Sequence, residues 1–347
     1  MSRFPRVSVS PLLPGLMVCL AVGGLSLAVA GPVPAVSGLV VAIFLGILWR
    51  NLAPYPKFLD PGTAFAAKRV LRLGIVLLGL QIPVGVVLGL GPWVLTAIVT
   101  SVGLTFWATM VVGRWLRMTL NQRLLMASGF SICGAAAIAG TDSVTESDEE
   151  DVASAIAMVV VFGTGMIALM PALAALLGLT AQQSGLWIGL STHEVAQVVA
   201  AGGAVGGGAL VIAVTVKLAR VLMLAPVLAG ISWSQRRRQQ NHTQGPKTTE
   251  GGRRPPLVPL FVVGFIACVA LGSLGWVPET VGRAMEYIQA LLLSTAMFAL
   301  GLSVHVPSLI RVGGRPAVLG AASTLIILTI GGAAALLPQA LGGSSAQ

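Results

Sequence analysis

The sequence predicts an all-α, polytopic membrane protein of about eleven transmembrane segments, and three observations predict it. Charged residues make up 9% of the 347 residues and hydrophobic ones 56%, whereas a soluble domain is roughly 25% charged. Long runs without charge recur along the chain, each near the roughly 20 residues that a spanning helix needs. Basic residues collect between those runs, the distribution that keeps Lys and Arg on the cytoplasmic side. Soluble globular classes are thereby excluded. The net charge of +10 reads as topology, because aromatic residues are only 5% and no basic, aromatic-interleaved surface exists; nucleic acid is not an expected partner.

The apolar segments run over about 12–30, 35–49, 73–90, 93–113, 124–140, 152–178, 185–203, 207–233, 257–275, 284–304 and 316–337. The first follows Arg3 and Arg6 and resembles a signal peptide, but the many spans behind it favour an uncleaved first helix. With the N-terminus inside, 18 of the 21 basic residues fall in inside loops: Arg3 and Arg6; Arg50, Lys57, Lys68, Arg69 and Arg72; Arg114, Arg117 and Arg123; Arg236 to Arg238, Lys247, Arg253 and Arg254; Arg311 and Arg315. Only Arg283 falls in an outside loop. The acidic run Asp142, Glu146 and Asp148 to Asp151 falls outside as well. The expectation is a single integral domain over 1–347, N-terminus cytoplasmic and C-terminus outside. Residues 235–256, rich in Arg, Gln, Gly and Pro, read as a flexible cytoplasmic loop whose arginines anchor at lipid headgroups. Cys19, Cys133 and Cys268 are odd in number and scattered, which gives neither a disulfide framework nor a metal spacing.

An internal repeat is visible. Leu78-Gly79-Leu80-Gln81 resembles Leu300-Gly301-Leu302-Ser303, and Pro92-Trp93-Val94-Leu95-Thr96-Ala97 resembles Pro316-Ala317-Val318-Leu319-Gly320-Ala321. The two pairs run in opposite senses, the signature of an inverted repeat with a substrate site between its halves. Two segments look broken: residues 127–137, around Ser131, Cys133 and Gly134, and the stretch from Ser191 to Gly202. Both mix Gly, Ser and Thr with small residues where a plain spanning helix carries Leu and Val. Unwound backbone at that depth must line a cavity or be buried in protein, and half-helix N-termini there point N–H groups at anions. Close helix crossing by small residues is the bland alternative. On the expected topology both broken segments run from inside to outside, which a strict inverted repeat does not allow; either one is re-entrant or the repeat is not collinear with the chain.

The chemistry concentrates near Glu194, the one carboxylate in the middle of an apolar segment. An ionisable group at that depth is costly and is a functional-site hypothesis by default. His193-Glu194-x-x-Gln197 lacks the second His of the zinc motif, so a metalloprotease is rejected and no metal is expected. On a helix, His193 and Gln197 would share a face. His193, Glu194 and Gln197 are candidates for holding a coupling proton or sodium ion; a satisfied buried network fixing helix packing is the alternative. Lys217 and Arg220, three residues apart, lie too deep to snorkel. If one neutralises Glu194, a surplus positive charge remains, which suits a small anion.

Leu73 to Gln81, Ser131 to Ile138, His193 to Gly202, and Lys217 to Val221 with Pro226 resemble the YeiH family of bacterial inner-membrane proteins, for which sulfate export after sulfonate breakdown has been suggested. The resemblance spans most of the chain. It implies a plan similar to bile-acid/sodium symporter-like transporters, with inverted repeats and two discontinuous crossing helices. The arginine-rich 235–256 departs from the compact family pattern. The functional expectation is a secondary active transporter of a small anion, sulfate or an organosulfonate, in the bacterial inner membrane. Ser131, Cys133, Gly134, Ser191, Thr192, Lys217 and Arg220 are its candidate substrate residues. A cation/proton antiporter centred on Glu194 and a non-transporting sensor or scaffold are the alternatives. No nucleophile–base set supports an enzyme, no cofactor is expected, and membrane lipids and a homo-oligomeric copy are the remaining partners considered.

Overall fold

The computed structural model describes residues 11–31, 38–82, 84–145, 147–242, 260–275, 278–305, 307 and 314–340, and these form helices joined by short connections. In chain order we label α1 (Leu13–Ala30), α2 (Gly38–Leu52), α3 (57–81), α4 (Gly91–Trp115), α5 (Leu120–Ser131), α6 (Ala135–Thr145), α7 (Glu149–Leu176), α8 (Ala181–Ser191), α9 (Val195–Val205), α10 (Gly207–Leu222), α11 (Leu224–His242), α12 (Leu260–Ser273), α13 (Glu279–Ser303) and α14 (Arg315–Ala340). In their described residues all eleven expected apolar segments are helical, apart from short breaks. Among the described residues six helices, α10 with the start of α11 counting as one, are long and apolar enough to span a membrane, and α12 is a shorter apolar one.

Two boundaries differ from expectation. The third segment does not begin near residue 73: α3 is one helical rod from Lys57 to Gln81, with a wide π turn at Ala66–Val70 that carries Lys68 and Arg69. Lys68, Arg69 and Arg72 are therefore helix residues, and Lys68 and Arg72 face a cavity. The polar stretch expected from 235 is still helical to His242, where Arg237 lies over the Trp233 ring at 3.8 Å. The remainder of that stretch, with Glu146, Arg3, Arg6 and Arg311, lies outside the described residues.

The two broken segments are hairpins that enter and leave on one face. At the base of the first, Asn121 Nδ2 donates to Thr145 O (3.5 Å) and Gln122 Nε2 donates to Asp151. Midway, Thr141 Oγ1 donates to Ser128 Oγ (2.7 Å). So α5 and α6 run antiparallel from a shared base. In the second, α8 runs parallel to α10, with Gly185 against Ala209 and Gly189 against Ala213, whereas α9 runs antiparallel to it, with Gly202 against Leu210. Hence α8 and α9 are antiparallel too. Each leg of α6 and α9 has 11 residues, about 16 Å of helix, or half of a roughly 30 Å hydrocarbon core.

α14 gives both hairpins a common scale. Phe130, at the tip of the first, meets Gly320 near the start of α14. Trp187 Nε1 donates to Leu328 O (2.9 Å), and Ser191 Oγ to Ile327 O (3.3 Å), so α8 descends from the opposite end. The hairpins thus enter from opposite faces and their tips meet inside. This corrects the expectation that both broken segments run inside to outside. It also reverses α7: Gly129 faces Val159, and Phe130 packs edge-on against Phe162 (centroids 6.2 Å apart), so α7 runs parallel to α5. Asp142, Glu149 and Glu150 therefore share a face with the Arg50 end of α2, not with the opposite loops.

The repeat anticipated between 78–97 and 300–321 has the inverted sense. α3 and α13 are antiparallel, with Gly74 against Leu293 and Gln81 Nε2 donating to Gln289 Oε1 (2.6 Å). α4 and α14 are antiparallel, with Trp93 Nε1 donating to Ala334 O (3.1 Å) and Thr109 sharing a hydrogen bond with Ser323 (2.9 Å). Helices α1, α2, α3, α12 and α13 form one layer, closely crossed at small residues: Gly15 on Gly62, Gly23 on Thr295, Gly46 on Gly301, Gly79 on Phe265. Such residues let backbones approach where apolar burial between helices is no driving force. The hairpins pack with α4, α7, α10 and α14 into a second layer, and the seam between the layers positions the site.

Candidate functional site

Both hairpins begin identically. Thr119 caps α5 and Thr180 caps α8, each in a capping box with Gln122 and Gln183, which satisfies orphan N–H groups at the membrane surface. Each then reaches Gly-x-Ser: Gly129-Phe130-Ser131 in α5 and Gly189-Leu190-Ser191 in α8. The helix breaks just after each serine. Gly134 takes φ +73° at the first tip, a conformation natural to glycine. Thr192 (φ −66°, ψ 146°) and Glu194 (φ −120°, ψ 154°) are extended at the second.

Four half-helix ends therefore meet: the carbonyl ends of α5 and α8 and the N–H ends of α6 and α9. Lys217 and Arg220, both fully buried on α10, serve the carbonyl ends. Lys217 Nζ donates to Ile132 O (2.9 Å), Thr192 O (2.7 Å) and His193 O (2.6 Å). Arg220 Nη1 donates to Gly189 O (3.0 Å), Leu190 O (2.6 Å) and Thr192 O (3.2 Å), and Nη2 to Ser131 O (2.6 Å). Cations at helix C-termini are favoured by the partial negative charge there. Each of these side chains ties one hairpin to the other.

Glu194 serves the N–H ends. Its Oε1 accepts from Ala135 N (3.0 Å), at the start of α6 in the other hairpin, while its own N–H donates to Gln197 Oε1 (3.0 Å). The carboxylate thus sits where a bound anion would be expected. Its partner is backbone, and no ion pair within 4.0 Å joins it to Lys217 or Arg220. Lys217 therefore offsets the Glu194 charge through its field and not through an ion pair. One correction concerns His193 and Gln197, which do not share a helical face because the chain is extended between them. His193 Nε2 instead pairs with Thr324 Oγ1 on α14 (3.0 Å), and its ring meets Phe130 edge-on (centroids 4.6 Å apart). Gln197 lies over Gly163 of α7.

Of the candidate residues, Ser131, Cys133, Gly134, Ser191, Thr192, His193, Glu194, Gln197, Lys217 and Arg220 are all gathered at or directly behind the tips. Ser131 and Ser191 hydroxyls are spent on backbone carbonyls, of Ala127 and Ile327. Thr192 Oγ1, His193 Nδ1 and Arg220 Nε are buried without a hydrogen-bond partner. Residues that the sequence reading passed over include Phe130, Gly163, Thr324 and the carbonyls of Ile132, Gly189 and Leu190. The paired Thr-x-x-Gln and Gly-x-Ser signatures were the available signal for the two hairpins.

Two cavities lie on the seam. The larger, about 560 Å³, opens on the face of the first hairpin's base, between Arg50, Lys68, Arg72 and His305 of one layer and Asp142, Glu149 and Glu150 of the other. Lys68 Nζ bridges it to Asp142 (4.0 Å). The smaller, about 50 Å³, is lined by Leu39, Ile75, Leu78, Met297, Cys133 and Glu194, among others. It lies one helical turn deeper: Ile75 follows Arg72 on α3, and Ala136 precedes Ala139 on α6. On this measure it has room for a few water molecules, and its lining is apolar apart from Glu194 and the Cys133 thiol.

Fold and site together define a multi-pass helical membrane protein in which two opposed re-entrant hairpins meet at a buried, charged centre. The chain belongs to the family described as Conserved hypothetical protein 698, whose sequence model matches residues 14–320; this is the YeiH-like family of UPF0324 membrane proteins. It is 48% identical over 324 residues to a UPF0324 membrane protein of Corynebacterium glutamicum, covering 93% of this chain and 92% of that one. It is 35% identical over 329 residues to one from Agrobacterium fabrum, covering 92% and 91%. It is 35% identical over 292 residues to the UPF0324 membrane protein TauZ of Paracoccus pantotrophus, covering 83% and 85%. No solved structure gives a significant match.

Proposed function

We propose that the protein is a secondary active transporter of a small anion in the bacterial inner membrane, with sulfate or an organosulfonate as the substrate class. The observation that carries this reading is the meeting of two opposed hairpin tips on a seam that one face of the membrane reaches through the 560 Å³ vestibule. Discontinuous helices meeting near the midplane are how transporters present backbone N–H groups to anions. The fixed charges at the tips also leave a surplus: Lys217 and Arg220 against Glu194.

In this mechanism the anion approaches through the vestibule and competes with the Glu194 carboxylate for the N–H ends of α6 and α9. Thr192 Oγ1 and His193 Nδ1 supply the free polar atoms. Glu194, displaced from Ala135 N, takes up the coupling proton with His193 beside it. Rocking of the hairpin layer against α1, α2, α3, α12 and α13 then opens the seam to the other face. Lys217 and Arg220 hold the tips in register and supply long-range positive potential. The N-terminus is placed on the cytoplasmic side and the C-terminus outside, by the same count of basic residues.

One observation favours a second reading, a cation/proton antiporter: the Lys217 and Arg220 donors are largely engaged by carbonyls, and Glu194 is the charged group that lines the deep cavity. Reconstituted protein separates the two. Saturable uptake of labelled sulfate, driven by a pH gradient and reduced at least tenfold in Glu194→Gln, is expected. Proton or sodium exchange that proceeds at full rate without any anion would refute anion transport.

A further inference from the structure

The Lys217 ammonium is enclosed in a way that ordinary buried lysines are not. Its three acceptors are neutral backbone carbonyls, of Ile132 in the first hairpin and of Thr192 and His193 in the second, at 2.6–2.9 Å. An ammonium has three N–H donors, so all three are used. No carboxylate lies within 4.0 Å among the described residues. The carbonyls belong to the C-terminal ends of α5 and α8, which carry partial negative charge. Carbonyl oxygens converging on one buried point, with no counter-anion, are what replaces the hydration shell of a monovalent cation. Arg220, from the same helix, takes the adjoining carbonyls of Ser131, Gly189 and Leu190 and shares that of Thr192 at 3.2 Å, so of the three oxygens around Nζ those of Ile132 and His193 belong to Lys217 alone.

We propose that this cage is a monovalent-cation site whose resident ligand is the chain's own Lys217 ammonium. The two hairpin tips are then joined without a free alkali ion, and the wild-type protein binds no sodium there. Removing the side chain leaves a cage sized for an ammonium-type cation. The consequence for coupling, that sodium does not drive transport, rests on the transport reading; occupancy of the cage does not.

Thermal unfolding of the full purified chain tests this. The media are choline, sodium, potassium, ammonium and methylammonium chloride at equal ionic strength. Wild-type Tm is expected to be the same in all five. Lys217→Ala is expected to unfold lower in choline and to recover saturably in ammonium or methylammonium, by about 2 °C at roughly ten times Kd. A purely structural cap would give a destabilised variant that no ion rescues, and that result overturns the proposal. So does a saturable rise of wild-type Tm with sodium. Should Lys217→Ala not fold in choline, preparation in methylammonium decides: folded protein supports the cage, and failure in both media overturns it. Flux plays no part in the readout, so a failed sulfate assay and a failed rescue are separate results.

Discussion

Replacing Arg220 by leucine is expected to destabilise the protein by about 4 kcal/mol. Arg220 is fully buried, and its Nη1 and Nη2 reach four carbonyls on both hairpins at 2.6–3.2 Å. Nη1 has two hydrogens for three acceptors, so about three good bonds are made. Hydrogen bonds to charged groups contribute about 1.5–3 kcal/mol each, and the lower end of that range gives about 4.5 kcal/mol. Removing one partner from a buried charged cluster costs about 3–5 kcal/mol in measured cases. The two routes agree. About 1.4 °C of Tm per kcal/mol for a chain of this size makes the expected loss about 6 °C, read by fluorescence-detected size exclusion after heating. Arg220→Lys keeps the charge and loses the planar fork, so about half the loss is expected. Arg114→Ala, at an exposed helix end, is expected to stay within about 0.5 kcal/mol. Arg220→Leu within 1 °C of wild type would show that the carbonyl ends are not held by this side chain.

Two further predictions follow from the backbone. Single cysteines at Ser147 and Arg123 are expected to react with an impermeant maleimide from one face of the membrane, and one at Gly178 from the other; labelling of Ser147 and Gly178 from the same face would mean that α7 does not cross. Gly134→Ala is expected to abolish flux in a protein that still reaches the membrane, because a Cβ there would collide with the Glu194 carboxyl group and the residue sits at φ +73°, a region that costs non-glycine residues about 1–2 kcal/mol. Flux and Tm both at wild-type level would remove Glu194 from its position against the first hairpin.

Much of this architecture is legible in the sequence, and its illegible part has a specific cause. Eleven apolar runs appear as helices because length and composition alone decide what the hydrocarbon core accepts. The tips around Ser131 and Thr192 are legible because small polar residues at that depth have no role in a plain span. Hydropathy cannot distinguish a helix that continues past its midpoint from one that turns back, since two half-length legs have the length and composition of one crossing. The charge count is equally blind. Reading both broken segments as hairpins reverses only what lies between them, which is α7 and its flanking loops. From Leu124 to Val216 there is no Lys or Arg, so the same 18 basic residues fall inside on either topology. The acidic run does move, but acidic residues contribute little to orientation. What distinguishes the two topologies is the repeat itself. Thr119-x-x-Gln122 and Thr180-x-x-Gln183 start the legs, and Gly129-x-Ser131 and Gly189-x-Ser191 end them, at nearly the same spacing. Two copies of one unit placed on opposite faces must enter in opposite senses, and with an odd number of crossings between them only re-entrant hairpins on either side of α7 satisfy that.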